Sequence, residues 1–168
     1  MNKIIVTGPE SSGKTTLCKS LSEHFNIPFT EEYAREYLNK QNGKYTQSDL
    51  RRIAKEQLLK EQINEGILIC DSDLITIKIW SEYKYGNCNN WILEQIEKQK
   101  TENRFYLLCN PDIPWKADSL RENPTNREEL FEIYKEELEK LKHNYSIIEG
   151  EERIKNSISK ISSLISNN

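Results

Sequence analysis

Glycine is scarce in this sequence, six residues in 168, and histidine scarcer, with two. No apolar run approaches the roughly 20 residues that a membrane-spanning helix needs. Four cysteines, at 18, 70, 88 and 109, form no C-x-x-C pair, and two histidines add little to a metal set. Cys70 and Cys109 fall within apolar strand-like runs and read as small buried hydrophobes with reduced thiols. Neither sign of charge prevails: 24 Lys and Arg against 27 Asp and Glu leave −3. That excludes nucleic-acid binding through bulk positive charge. One lysine ahead of a short apolar run makes no signal peptide. The expectation is therefore a single cytoplasmic domain, 1–168, without repeats or linkers, acting on a small molecule. A homo-oligomer is compatible with it.

Two of the few glycines are concentrated in one place. Residues 8 to 17 read GPESSGKTTL, which contains G-x-x-x-x-G-K-[ST]. At average residue usage such a match arises by chance in roughly half a percent of chains this long. Ile4, Ile5 and Val6 before it suit a buried strand, and Leu17, Leu21 and Phe25 after it recur at helical spacing. Strand, loop and helix are the context a phosphate-binding loop requires. A glycine turn capped by Ser and Thr is the alternative, and this context disfavours it. Gly8 and Gly13 allow the backbone amides to curl around an anion, with Ser11, Ser12 and Thr16 completing the cradle. Lys14 is placed to reach the β- and γ-phosphates of ATP, and Thr15 to hold Mg2+.

Strand signals recur at 4–6, 27–30, 67–70, 105–109 and 145–148, with helical stretches between them. Gln47 to Glu65, Arg127 to Leu141 and a last stretch carrying Ile154, Ile158, Ile161 and Ile165 have helical apolar spacing. Such alternation predicts an α/β three-layer fold: a five-stranded, mainly parallel sheet with helices on both faces. In such a sheet ligands bind beyond the carboxyl ends of the strands. The segment NPDIPWKADSLRENPTNRE, about 110–128, begins where a strand ends and is positioned to be a lid over the phosphate loop. A plain surface connection is the alternative reading.

Acids stand at two strand ends. Asp71, after ILIC, is the expected residue for orienting Mg2+ or accepting the proton of an attacking hydroxyl. Asp73 two residues later suits either a helix N-cap or a substrate contact, and both readings stay open. Glu31 and Glu32 open the next helical stretch, where carboxylates meet the helix dipole; Arg35 and Glu36 follow at surface-contact spacing. Their location at a strand end, facing the same crevice, points instead to substrate.

Taken together, GPESSGKTT, EEYAREYL, CDSDLITIKIW, PWKADSLR and NREEL resemble the ribosylnicotinamide kinase domain of NadR-type proteins, in the P-loop kinase superfamily. The resemblance runs from Lys3 to about Ile148. It implies transfer of the γ-phosphoryl group of ATP to the 5′-hydroxyl of nicotinamide riboside, giving nicotinamide mononucleotide. It implies a nicotinamide-stacking role for Trp115, for which packing within the lid is the alternative reading, a ribose-side role for Asp118, substrate contacts for Glu32, Tyr33 and Arg35, and a lid-arginine role for Arg121. Arg127 joins Arg121 in neutralising charge during transfer. The segment after Tyr145 reads SIIEGEERI and offers no second aromatic for the ring. Another small-molecule or nucleoside kinase and a regulatory P-loop ATPase are the competing readings. No N-K-x-D guanine motif accompanies the loop.

Overall fold

The computed structural model describes residues 2–62 and 66–166. Five strands, β1 (Lys3–Thr7), β2 (Phe29–Thr30), β3 (Leu68–Asp71), β4 (Arg104–Cys109) and β5 (Asn144–Ile148), form one sheet in the order β2-β3-β1-β4-β5. Every pairing is parallel, so the expected "mainly parallel" sheet is wholly so; Val6 lies opposite Asp71 on one side and Leu107 on the other. Among the described residues the helices are α1 (Lys14–Phe25), α2 (Tyr33–Lys40), α3 (Gln47–Lys60), α4 (Leu74–Tyr85), α5 (Asn90–Gln99), α6 (Arg127–Lys140) and α7 (Arg153–Ser166). None of the described helices is long and apolar enough to cross a membrane.

The strand period of two divides the core. Ile4, Val6, Phe105, Leu107 and Cys109 face Leu17, Cys18 and Leu21 of α1 and Ile161 of α7. Ile5, Leu68, Cys70, Tyr106 and Leu108 face the other way, onto α2 to α6. Cys18 and Cys109 thus lie on one face of the sheet and Cys70 on the other.

Two boundaries differ from the sequence expectation. The second strand begins at Phe29 rather than residue 27. Asn26, in the left-handed region at φ 52°, ends α1, the Ile27 amide bonds to Ser22 O at 3.2 Å, and Pro28 has no amide to donate. The helix expected over 47–65 ends at Lys60, where the Glu61 amide closes back on Gln57 O; Ile63, counted in its periodicity, lies outside the described residues.

Near the amino ends of β1 and β4 a charged cluster is buried. Arg104 donates to Glu61 (2.8 Å), Asp73 (3.3 Å) and Glu102 (2.9 Å), and Lys3 reaches Glu102 (3.0 Å) and Glu61 (3.6 Å). Arg104, Glu61 and Asp73 have fully buried side chains. Two cations face three carboxylates, and burial pushes the Glu61 carboxyl up to about 7 despite Arg104.

Candidate active site

At the opposite, carboxyl ends of the strands the chain opens into a cleft with about 1140 Å3 of atom-free space, open solvent included. Its floor is the loop from Gly8 to Gly13 and the first turn of α1. Gly8 has φ 132°, and a Cβ there would lie 2.6 Å from the Cys109 carbonyl oxygen, so only glycine lets the loop pass the end of β4. Gly13, at φ 87°, starts α1 from the left-handed region. Ser12 is buried and donates to Pro9 O at 2.8 Å, and the Lys14 ammonium donates to the carbonyls of Gly8 (2.9 Å) and Pro9 (2.8 Å). Gly8, Ser11, Ser12, Gly13, Lys14, Thr15 and Thr16 all line the cleft, with the amino terminus of α1 behind them.

Thr15 donates to Asp71 Oδ2 at 2.5 Å, joining the start of α1 to the tip of β3. Asp71 Oδ1 is buried with no hydrogen-bond partner. Burial raises the Asp71 carboxyl, with Lys14 and the Thr15 hydroxyl pulling the other way. Glu32 occupies the N-cap position of α2 without making a side-chain cap bond, and it lines the cleft. Its carboxyl is also raised, by burial and then by the charge of Asp71. Glu32 thus sits at the start of α2, where the helix dipole favours it, makes no cap hydrogen bond, and lines the cleft beside the buried Asp71.

The segment 110–126 lies over the loop, ending where Arg127 begins α6. The Glu10 carboxylate accepts from the amides of Glu122 (3.0 Å) and Asn123 (2.9 Å), and Ser11 Oγ accepts from the Lys116 amide at 2.9 Å. Arg121 lines the cleft and donates to Lys116 O and to Ser11 Oγ (3.4 Å). Arg127 is set back from the cleft wall, donating to the carbonyls of Ser11 (3.2 Å) and Ile113 (3.1 Å). From α7, Arg153 donates to Ser12 O at 2.7 Å and pairs with Asp112.

Several expected substrate residues are placed elsewhere. Asp73 is the N-cap of α4, accepting from the Ile75 amide at 3.0 Å, and its other oxygen takes Tyr106 Oη (2.7 Å) and Arg104 (3.3 Å). Fully buried, it has both oxygens occupied by the cap and the charged cluster, the first of its two sequence readings. Tyr33 donates its amide to Gln57 and lies under the Lys60 ammonium, 5.0 Å from its ring centre; it is absent from the cleft lining. Arg35 lines the cleft but pairs with Asp118 at 2.8 Å, and Asp118, which also accepts from the Leu120 amide, is held below its ordinary carboxyl range by that amide and by Arg35. Trp115 does not line the cleft. The guanidinium carbons of Arg121 and Arg127 lie 5.8 and 5.7 Å from its ring centre, so it packs within the lid.

In their place α4 contributes Thr76, Ile79, Trp80 and Tyr83, with Leu38 of α2 and Tyr134 of α6 nearby. The spacing i, i+3, i+4, i+7 in LITIKIWSEY marks one helical face directly after the strand tip, a signal available in the sequence. Arg153 carried no such signal.

A parallel sheet of this order, ending at a glycine loop that feeds a helix and answered by an acid at the tip of the neighbouring strand, defines the P-loop kinase fold. The profile of the AAA domain family matches residues 3–153, and the chain belongs to that family. It is 24% identical over 159 residues to the trifunctional NAD biosynthesis/regulator protein NadR of Escherichia coli, covering 89% of this chain and 38% of that protein. It is similar to the crystal structure of NadR protein in complex with NR, at TM-score 0.71 and 25% identity over 96% of this chain and 51% of that one. NadR protein in complex with NAD and AMP-PNP superposes at TM-score 0.75, with 24% identity over 96% of this chain and 49% of that one. The chain thus spans about half the length of these solved relatives.

Proposed function

We propose that this chain transfers the γ-phosphoryl group of ATP to the 5′-hydroxyl of nicotinamide riboside. The observation that carries the reading is the junction of Thr15 and the buried Asp71, 2.5 Å apart, at the edge of a cleft lined by Thr15, Lys14, Arg121 and Glu32. The likeness to a NadR chain bound to NR supports the choice of acceptor. In this reading the loop amides and Lys14 bind the triphosphate, and Arg121, with Arg127 behind it, offsets the charge that develops during transfer. The acceptor oxygen bonds to the γ-phosphorus, the bond to the bridging β–γ oxygen breaks, and ADP leaves. Glu32 takes the hydroxyl proton. A carboxyl raised above its ordinary range by burial is better matched to that role than an ordinary one.

An all-oxygen donor set suits Mg2+, and Thr15 Oγ with Asp71, whose Oδ1 is buried and unpartnered, fits it. Bound there, Mg2+ would supply neutralising charge to the β- and γ-phosphates. The lid excludes water from the transferring group.

The test is ADP release from ATP with nicotinamide riboside and a panel of ribo- and deoxyribonucleosides. Release that depends on nicotinamide riboside and yields nicotinamide mononucleotide is the expected result. Release with another nucleoside alone would replace the acceptor, and acceptor-independent hydrolysis would overturn the kinase reading.

A further inference from the structure

The cleft has a second half that the phosphate chemistry leaves unused. Thr76, Ile79, Trp80 and Tyr83 form a stripe along one face of α4. At 1.5 Å per residue it runs about 10 Å from Thr76 to Tyr83, roughly the span of a nucleoside. Its inner end is at the chemistry, since Thr76 Oγ1 lies 3.2 Å from Thr7 Oγ1 at the end of β1. Its outer end is aromatic, with Leu38 and Leu120 also lining this half.

The polar edges of both rings are engaged elsewhere. Trp80 Nε1 donates to Tyr45 Oη at 2.8 Å, and the Tyr45 ring packs edgewise against the indole at 4.7 Å. Tyr83 Oη accepts from Asn126 (2.5 Å) and donates to Glu129 (3.0 Å). What these residues present to the cleft is carbon surface. Two of the nearby carboxylates are engaged too, Glu122 by Lys84 (2.8 Å) and Tyr45 (2.7 Å) and Glu10 by lid amides, while Glu32 lines the inner part of the cleft beside Thr76 and Trp80. A flat apolar wall with no free polar edge binds a flat ring by stacking and burial.

We propose that the planar ring of the acceptor docks on Trp80 and Tyr83 of α4, and that these two residues, not Trp115, determine acceptor specificity. The inference rests on the kinase reading above and deepens it. The class selected is a nucleoside carrying a planar aromatic base, because the wall recognises shape and π surface, and its π faces favour a cationic ring over a neutral one. Trp115 is engaged by two lid arginines and lies outside the cleft lining.

The chain has three tryptophans, at 80, 91 and 115, so each candidate can be isolated as a fluorescent reporter. Trp91→Phe with Trp115→Phe leaves Trp80 alone; Trp80→Phe with Trp91→Phe leaves Trp115 alone. With both proteins saturated with AMP-PNP, nicotinamide riboside is titrated in. Quenching of the Trp80 reporter with a silent Trp115 reporter is the expected result; quenching confined to Trp115 overturns the proposal, as does silence of both.

Steady-state kinetics provide the second arm. Trp80→Leu and, at a site 38% exposed and tolerant of change, Tyr83→Leu should each raise the acceptor KM about tenfold while the KM for ATP stays within about twofold. Acceptor-dependent turnover with unchanged acceptor KM in both variants removes the ring site and leaves the kinase reading standing. Failure of the unmodified protein to use any nucleoside in the panel removes both.

Discussion

Arg104 and Asp71 sit at opposite ends of the same parallel sheet, and the carboxylates around them are balanced in different ways. At the Arg104 end every cation is matched within the chain: one guanidinium meets three acids, and Lys3 meets two of them. At the Asp71 end the buried Asp71 is bonded by the neutral Thr15 hydroxyl instead of a cation, and its carboxyl and that of the half-buried Glu32 are raised; each end keeps one buried carboxylate oxygen without a partner, Asp71 Oδ1 and Glu61 Oε1. Charge compensated by side chains is a structural device. Carboxyls brought together without such compensation cost stability, and that cost is characteristic of sites that act on ligands.

The comparison can be broken most forcefully at Lys14. Lys14→Ala should lower phosphoryl transfer by about 10²- to 10³-fold or more while far-UV circular dichroism is unchanged, because the ammonium serves phosphate rather than the core. Normal turnover by the folded variant would end the kinase reading.

Arg104→Met should do the reverse. Removing the one guanidinium leaves buried acids unpaired and costs about 3–5 kcal/mol of stability, measured by urea unfolding, while the KM for ATP of the folded enzyme is retained. An undiminished unfolding midpoint would show that the cluster is not structural.

Asp71→Asn sharpens the contrast, since it should lower kcat by about 10²-fold yet raise the melting temperature. The sign follows from linkage. The folded carboxyl titrates above its unfolded value, so stability is fully present below the ordinary carboxyl range and is lost as pH rises through the raised value. The neutral amide escapes that loss, and its advantage should fade toward acid pH. A variant less stable than the native protein at pH 8 would contradict the burial argument.

The smallest effect is expected at Glu61. Its carboxyl, raised to about 7, should make stability fall as pH climbs from about 5 to 8, and Glu61→Gln should flatten that dependence in unfolding midpoints taken across the range. Parallel profiles for the two proteins would assign the titration elsewhere.

The nucleotide half of the site was largely legible in the sequence, whereas the acceptor half was not. GPESSGKTTL is local: strand, glycines, Lys14 and Thr15 are near neighbours in the chain, and the loop conformation depends on positive φ values that the sequence advertises through glycine. The nearness of Asp71 to the loop followed from the convergence of strand tips in a parallel sheet, and its carboxylate accepts from Thr15. On the acceptor side the motif residues pair with one another across long separations. Arg35 meets Asp118, 83 residues away, and at the other end of the sheet, away from the site, Arg104 reaches Glu61, 43 residues away. Charges consumed by such partners look, in sequence, the same as charges facing a ligand. Asp73 shows it in a single residue, since the cap could be read from the two residues after it, but Tyr106 and Arg104 arrive only with β4.

By itself, then, the sequence determined what short-range periodicity and local backbone geometry control: the phosphate loop, the alternation of strands and helices, and the amphipathic faces that build two cores. Tertiary structure alone decided which aromatic reaches the cleft. The family resemblance pointed to Trp115, whereas Trp80 lines the cleft, and that placement depends on how α4 and the lid are rotated against the sheet. That rotation is set by many contacts at once, among them the Tyr106 bond to Asp73, the Tyr45 hydroxyl behind Trp80 and the arginines beside Trp115.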